Sequence, residues 1–146
     1  MPAEILRDVD LAPLSTFRLP ARAAEFAEVH HPDDLPELLV TDRPVLLLGG
    51  GSNTLFVDDL DQRILLNRIR TRRFTSSGNQ VTVEAGAGES WHDLVMDSVQ
   101  RGLWGLENLA LIPGSVGAAP MQNIGAYGVE LADRLEAVEV YDRRDG

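Results

Sequence analysis

At 146 residues, with 44% apolar and 25% charged positions, the chain is long enough to bury a core and has the balance of an ordinary globular sequence, not of a disordered tail. Acidic residues outnumber basic ones 23 to 13, every basic residue is arginine, and the formal charge of −10 argues against general nucleic-acid binding. The lack of cysteine excludes disulfides and thiolate chemistry within this stretch, and no apolar run approaches the roughly 18 to 20 residues of a membrane span. With no basic-then-apolar leader at the N-terminus, the expected location is the cytoplasm.

Residues 1–15 read as a lead-in, and Leu11 to Arg22, with Thr16-Phe17 between prolines, reads as irregular chain before a short strand around Glu25 to Val29. His31-Pro32-Asp33-Asp34 supplies a turn and a helix cap, and Pro36 fits the first turn of a short helix carrying Leu38, Leu39 and Val40. His30, His31 and His92 are scattered, so no metal site is expected. After Asp42-Arg43-Pro44, the apolar run Val45 to Leu48 reads as a strand that breaks into Gly49-Gly50-Gly51 and then Ser52, Asn53 and Thr54. Glycines in a row leave backbone N–H groups bare, which suits a phosphate, and Ser52 and Asn53 add uncharged donors. In a chain this acidic a polyanion has to be held by such amides and by local arginines. A plain tight turn accounts for the triplet equally well.

Beyond the charged turn Asp58 to Asp61, Ile64-Leu65-Leu66 is a second apolar strand. Alternation would put Arg68, Arg70 and Arg72 on one side of an extended segment, either as a phosphate contact or as a solvated strand edge, with Arg73 following. Ser76-Ser77-Gly78-Asn79 is a hairpin turn, returning through Val81, Val83 and Ala85 on a buried face. Ser90 caps a helix, with Asp93 three residues on, and Trp91, Leu94, Val95 and Val99 share its apolar face, with Met96 a further core candidate; Gly102 stops it. Glu89 and His92 suggest acid/base work or a solvated helix end.

Gly105 to Gly128 is dominated by small residues, and from Gly114 to Ala119 only Val116 exceeds a hydroxymethyl group, so the backbone is able to lie against a flat ligand. Gln122 and Asn123 offer amides suited to the edge of a heteroaromatic ring, and Tyr127 has room to stack or hydrogen-bond. A close-packed loop without ligand is the alternative. One loop suited to a pyrophosphate and one to a planar ring together ask for a dinucleotide. The first lacks the later glycine and following helix of a Rossmann fingerprint, and a lysine-free chain has no Walker A loop, which leaves a flavin dinucleotide on another fold.

These motifs resemble the UDP-N-acetylenolpyruvoylglucosamine reductase (UDP-N-acetylmuramate dehydrogenase) family. The match lies in Leu48 to Phe56, in Glu84-Ala85-Gly86-Ala87-Gly88, and above all in Glu107 to Glu130, with Ile112-Pro113-Gly114-Ser115-Val116-Gly117-Ala118-Ala119-Pro120 and Gln122-Asn123-Ile124-Gly125-Ala126-Tyr127-Gly128. The resemblance implies an α+β fold, a FAD-binding domain of the vanillyl-alcohol-oxidase type over residues 16–146, in which two subdomains hold an elongated FAD. It assigns Gly49, Gly50, Gly51, Ser52 and Asn53, with Thr54 adjacent, to the pyrophosphate. It assigns Ile112, Pro113, Gly114, Ser115, Gly117, Ala118, Asn123, Gly125, Ala126 and Tyr127 to the flavin.

The implied chemistry is hydride transfer from NADPH to FAD and on to an enolpyruvyl carbon of a UDP-sugar, with a serine, an arginine and a glutamate serving the protonation step. Those catalytic residues are expected beyond residue 146, so none is assigned here. The expected partner is that small-molecule substrate, without nucleic acid or membrane, and the expected state is a monomer. The alternating segment Val138 to Arg144 running into Asp145-Gly146 reads as a hairpin cut before its return strand, hence as the N-terminal part of an enzyme whose substrate domain is absent and which is inactive alone. Two alternatives differ in class: a complete non-catalytic module for an anionic nucleotide, and another oxidase of the same fold with covalent flavin. The second is disfavoured, since neither glycine loop contains His or Cys.

Overall fold

The computed structural model describes residues 4–143. One unit holds the described residues up to Ile69 together with those from Val140, and the other is Arg70–Glu139.

The first unit contains β1 (Leu6–Asp10), β2 (Arg22–Val29), α1 (Leu35–Leu38), β3 (Val45–Leu48) and β4 (Leu60–Asn67), with sheet order β1-β2-β4-β3. β1 pairs antiparallel with β2, while β2 and β3 each run parallel to β4. A central parallel strand is covered on both faces, and for that reason β4 carries Ile64-Leu65-Leu66 as a continuous apolar run. Ile64 and Leu66 pack with Leu11, Phe26, Leu48 and Phe56, whereas Leu65 packs on the other face with Ala27, Val29 and Leu38. A register shift between Ala23 and Glu25 lets Ala23 and Phe26 serve the same face despite their odd spacing.

Arg63 is buried against Glu25, with Nε donating to Oε2 at 2.7 Å, and its Nη1 donates to the Leu38 and Val40 carbonyls at 2.9 and 3.1 Å. The guanidinium thus satisfies the carbonyls left open at the end of α1 and fastens that short helix to the sheet.

Two differences from the sequence reading concern this unit. β2 begins at Arg22, not near Glu25, and the lead-in contains a strand, β1. Leu6-Arg7-Asp8-Val9-Asp10 is an edge strand with only Val9 partly buried, so it lacks the apolar alternation by which strands are recognised.

In the second unit, β5 (Arg72–Ser77) and β6 (Gln80–Ala85) form the expected hairpin around Gly78-Asn79. α2 (Trp91–Gln100) follows, its first turn capped by the Ser90 hydroxyl, which accepts the Asp93 N–H at 3.3 Å. Then come α3 (Ala119–Gln122) and a narrow hairpin of β7 (Gly125–Ala126) and β8 (Val129–Glu130). The core joins Trp91, Leu94 and Val95 to Leu109, Ala119 and Leu131. Helical period places Ser98, not Val99, inside: Ser98 is buried and donates to the Leu94 carbonyl at 2.9 Å, while Val99 and Met96 are 42% and 37% exposed.

The arginines do not form one stripe. Arg68 belongs to the first unit and pairs with Glu28; Arg70, Arg72 and Arg73 belong to the second, where Arg72 turns inward onto Glu89 and Asp97 and Arg73 meets Glu84 at the surface. Val138 to Tyr141 is not a strand among the described residues: no neighbour supplies a ladder there. The Asp145-Gly146 turn lies outside the described residues.

Candidate functional site

β3 delivers the chain into the first glycine loop, and Leu48 is buried at its end. Of the triplet only Gly51 is left-handed, with φ +67, and a Cβ there would stand 1.8 Å from the Leu14 carbonyl oxygen. Gly51 is therefore obligatory for packing whatever else the loop contacts. The lead-in forms the floor of the loop. Thr16 N–H donates to the Gly51 carbonyl at 3.3 Å, and the buried Ser15 hydroxyl donates to the Thr54 carbonyl at 2.7 Å while accepting the Phe17 N–H. Gly50 and Asn53 lie at the surface; Gly49, Ser52 and Thr54 are half-buried. Ser15 and Thr16 support this loop in a way that the sequence does not announce, since the Ser15–Thr54 bond joins positions 39 apart.

The second loop is backed by residues 87–92 of its own unit. Gly117 N–H donates to the Ala87 carbonyl and Val116 N–H to the Glu89 carbonyl, both at 2.9 Å, and Trp91 N–H donates to the Gly114 carbonyl at 3.1 Å. A Cβ on Gly117 would lie 2.6 Å from that of Ala87, so its smallness serves this contact. Trp91 Nε1 donates to the Leu109 carbonyl at 2.9 Å, and Leu111 N–H donates to His92 Nδ1 at 3.2 Å.

Glu89, read as a possible acid or base, is held by Arg72 at 2.5 Å with its side chain 12% exposed, and His92 points to Leu111 instead of to Glu89. The Glu89 carboxylate raises the Arg72 pKa above its ordinary value, chiefly by hydrogen bonding. This pair braces the backing segment and does not present a reactive group.

Asn123 ends α3 in the left-handed conformation; its Nδ2 donates to Glu130 at 2.8 Å and its Oδ1 accepts the Ala132 N–H at 3.0 Å. Both ends of its carboxamide thus engage this chain, where the sequence reading had them at a ring edge. Tyr127 and Gly128, with φ +52 and +77, form the two-residue turn between β7 and β8, and the Tyr127 ring is 88% exposed. Ile112, Gly114 and Ala118 are half-buried, Pro113 and Gly125 exposed, and Ala126 packs on the core.

Ser115 stands apart. It is 7% exposed, its Oγ has no hydrogen-bond partner, and it lines a shallow pocket with Trp91, Pro113, Ala118 and Gln122. A buried hydroxyl without partner costs about 1–3 kcal/mol, which a ligand atom would relieve. The second loop therefore offers small-residue backbone, one orphaned hydroxyl and an exposed aromatic ring, a set suited to a planar, polar-edged ligand.

Residues 24–146 match the family described as FAD binding domain. The chain belongs to that family. As a FAD-binding domain it has relatives among named enzymes: it is 53% identical over 140 residues to UDP-N-acetylenolpyruvoylglucosamine reductase of Ralstonia nicotianae, covering 90% of this chain and 41% of that protein. It is 47% identical to the reductase of the same name from Azoarcus sp., covering 99% of this chain and 44% of that one. Its fold is like that of the crystal structure of UDP-N-acetylenolpyruvylglucosamine reductase from Thermus caldophilus, with a TM-score of 0.69 and 29% identity over 91% of this chain and 46% of that one. The chain thus spans less than half the length of these relatives. The resemblance read from the two loops and the α+β fold class both agree with these matches. Ser115 and the small-residue backbone around it fit a flavin.

Proposed function

We propose that the protein carrying this chain is the NADPH-dependent flavoenzyme that reduces the enolpyruvyl ether of UDP-N-acetylglucosamine to UDP-N-acetylmuramate, a cytoplasmic step of peptidoglycan precursor synthesis. The observation that carries this reading is the 53% identity to a reductase of that name, in a chain of the FAD-binding family. Bound FAD supplies hydride acceptance and donation. Overall, NADPH gives a hydride to one carbon of the enolpyruvyl double bond and a proton joins its neighbour, leaving a lactyl ether.

The residues of this chain bind and orient. Gly49 to Thr54 offer backbone N–H groups, a hydroxyl and a carboxamide to the pyrophosphate, which suits a chain of charge −10 that has little field to attract an anion. Ile112 to Ala118, with the unpartnered Ser115 Oγ, and Gly125 to Tyr127 would hold the isoalloxazine. No residue here is given a catalytic role, and residues 1–146 by themselves hold FAD weakly and do not turn over.

The native protein should purify yellow and oxidise NADPH only when the enolpyruvyl sugar nucleotide is present. A colourless protein that FAD does not reconstitute would overturn the reading. Asn53→Leu should weaken FAD binding about tenfold; unchanged flavin content removes Asn53 from the site.

A further inference from the structure

Leu111, immediately before Ile112-Pro113, has φ +63 and a side chain 80% exposed. A bulky L-residue is disfavoured in that conformation, and here the exposed side chain recovers nothing through burial. Strain of this kind persists only where the surroundings impose it, and it gathers at ligand-holding segments. What imposes it is the first turn of α2. Trp91 fixes the chain on both sides of Leu111, through its ring N–H to the Leu109 carbonyl at 2.9 Å and its backbone N–H to the Gly114 carbonyl at 3.1 Å. His92, the next residue, takes the Leu111 amide itself on Nδ1 at 3.2 Å. Trp91 is accounted for by the core, but His92 is half-buried, belongs to no apolar cluster and does not meet Glu89.

We propose that His92 is a positioning residue: its Nδ1 lone pair holds the Leu111 amide and fixes the left-handed turn from which Ile112 to Ser115 enter their path along the flavin. The contact requires Nδ1 free of its proton, so the neutral ring carries hydrogen on Nε2. Residue 112 precedes a proline and is restricted to extended conformations, so the direction of the segment is set at Leu111 and carried forward to Ser115. The inference rests on the flavin reading of residues 112–118.

The test compares His92→Leu, which removes the acceptor, with His92→Asn, whose Oδ1 occupies the place of Nδ1. Exchange of the Leu111 amide is measured on flavin-free native protein, and the FAD dissociation constant is measured by quenching of flavin fluorescence. His92→Leu should speed Leu111 exchange about tenfold and raise the FAD Kd about fivefold, while His92→Asn stays within about twofold of the parent in both. In a Leu111→Gly background, where the left-handed turn needs no support, His92→Leu should change the FAD Kd less than about twofold.

Native FAD affinity in His92→Leu overturns the assignment, and so does His92→Asn behaving like His92→Leu. A parent protein that takes up no FAD overturns the flavin reading itself, an outcome recognised before any variant is compared.

Discussion

The 49–54 loop is held from below by a distant turn, through Ser15, Thr16 and the Leu14 carbonyl, whereas the 112–118 segment lies along a ladder of backbone hydrogen bonds from residues 87–91. In the first loop Gly51 is consumed by packing, which leaves Gly50 and Asn53 at the surface and Gly49, Ser52 and Thr54 half-buried. In the second, the ladder satisfies the backbone and leaves a side-chain hydroxyl, that of Ser115, without partner. A run of small residues therefore marks close approach, but whether the approaching group is the protein's own backbone or a ligand has to be settled residue by residue.

The sharpest break is expected at Gly51. In Gly51→Ala the new methyl meets a backbone carbonyl at 1.8 Å and the backbone must hold φ +67, so the first unit should lose about 3 kcal/mol, read from urea unfolding. Gly117→Ala meets the Ala87 methyl at 2.6 Å and the Ala87 backbone at 3.1 Å without a φ penalty and should lose about 2 kcal/mol, part of it recovered by Ala87→Gly in the same chain. Equal losses at the two glycines, or no recovery in the double variant, would show that the loops are held alike.

The next effect belongs to the brace behind the second loop. Arg72→Met leaves Glu89, only 12% exposed, without its cation and should lose about 2 kcal/mol in the second unit, with the first unaffected. The same cluster sets an acid limit. Hydrogen bonding from Arg101 first, and then from Arg72, lowers the Asp97 pKa below its ordinary 3.8. A lowered carboxylate stabilises the fold above the unfolded pKa and ceases to do so as pH falls through the folded one, so this contribution should fade on descending below about pH 3.8. Asp97→Asn should remove that part of the pH dependence; an unchanged acid limb would exclude Asp97 from it.

What could be read in advance followed from local chemistry. Ile64-Leu65-Leu66, the Ser90 cap and the Gly78-Asn79 turn are each written within a few residues, and the structure has them. β1 was missed because an edge strand needs no apolar alternation, and Val99 was misplaced because the helix carries a serine on its buried face, its hydroxyl satisfied within the turn. The loops themselves were legible as small-residue backbone, but their supports were not: Ser15 reaches Thr54 and Arg72 reaches Glu89 across separations that no local pattern encodes.

The smallest effect on stability discriminates best between a packed loop and a ligand site. If Ser115 belongs only to the fold, Ser115→Ala removes a hydroxyl that bonds to nothing and should leave stability unchanged or raise it by about 0.5–1 kcal/mol, with no other consequence. If its Oγ meets the flavin, the flavin-free protein behaves in the same way but FAD affinity falls about tenfold, because the ligand atom that satisfied the hydroxyl loses its partner in turn. Stability and affinity then move in opposite directions. A Ser115 that serves only the fold leaves FAD affinity unchanged, so the affinity of the variant decides the role without reference to turnover. The parallel substitution beneath the first loop, Ser15→Ala, should lower stability by about 1 kcal/mol, because its hydroxyl serves the Thr54 carbonyl at 2.7 Å.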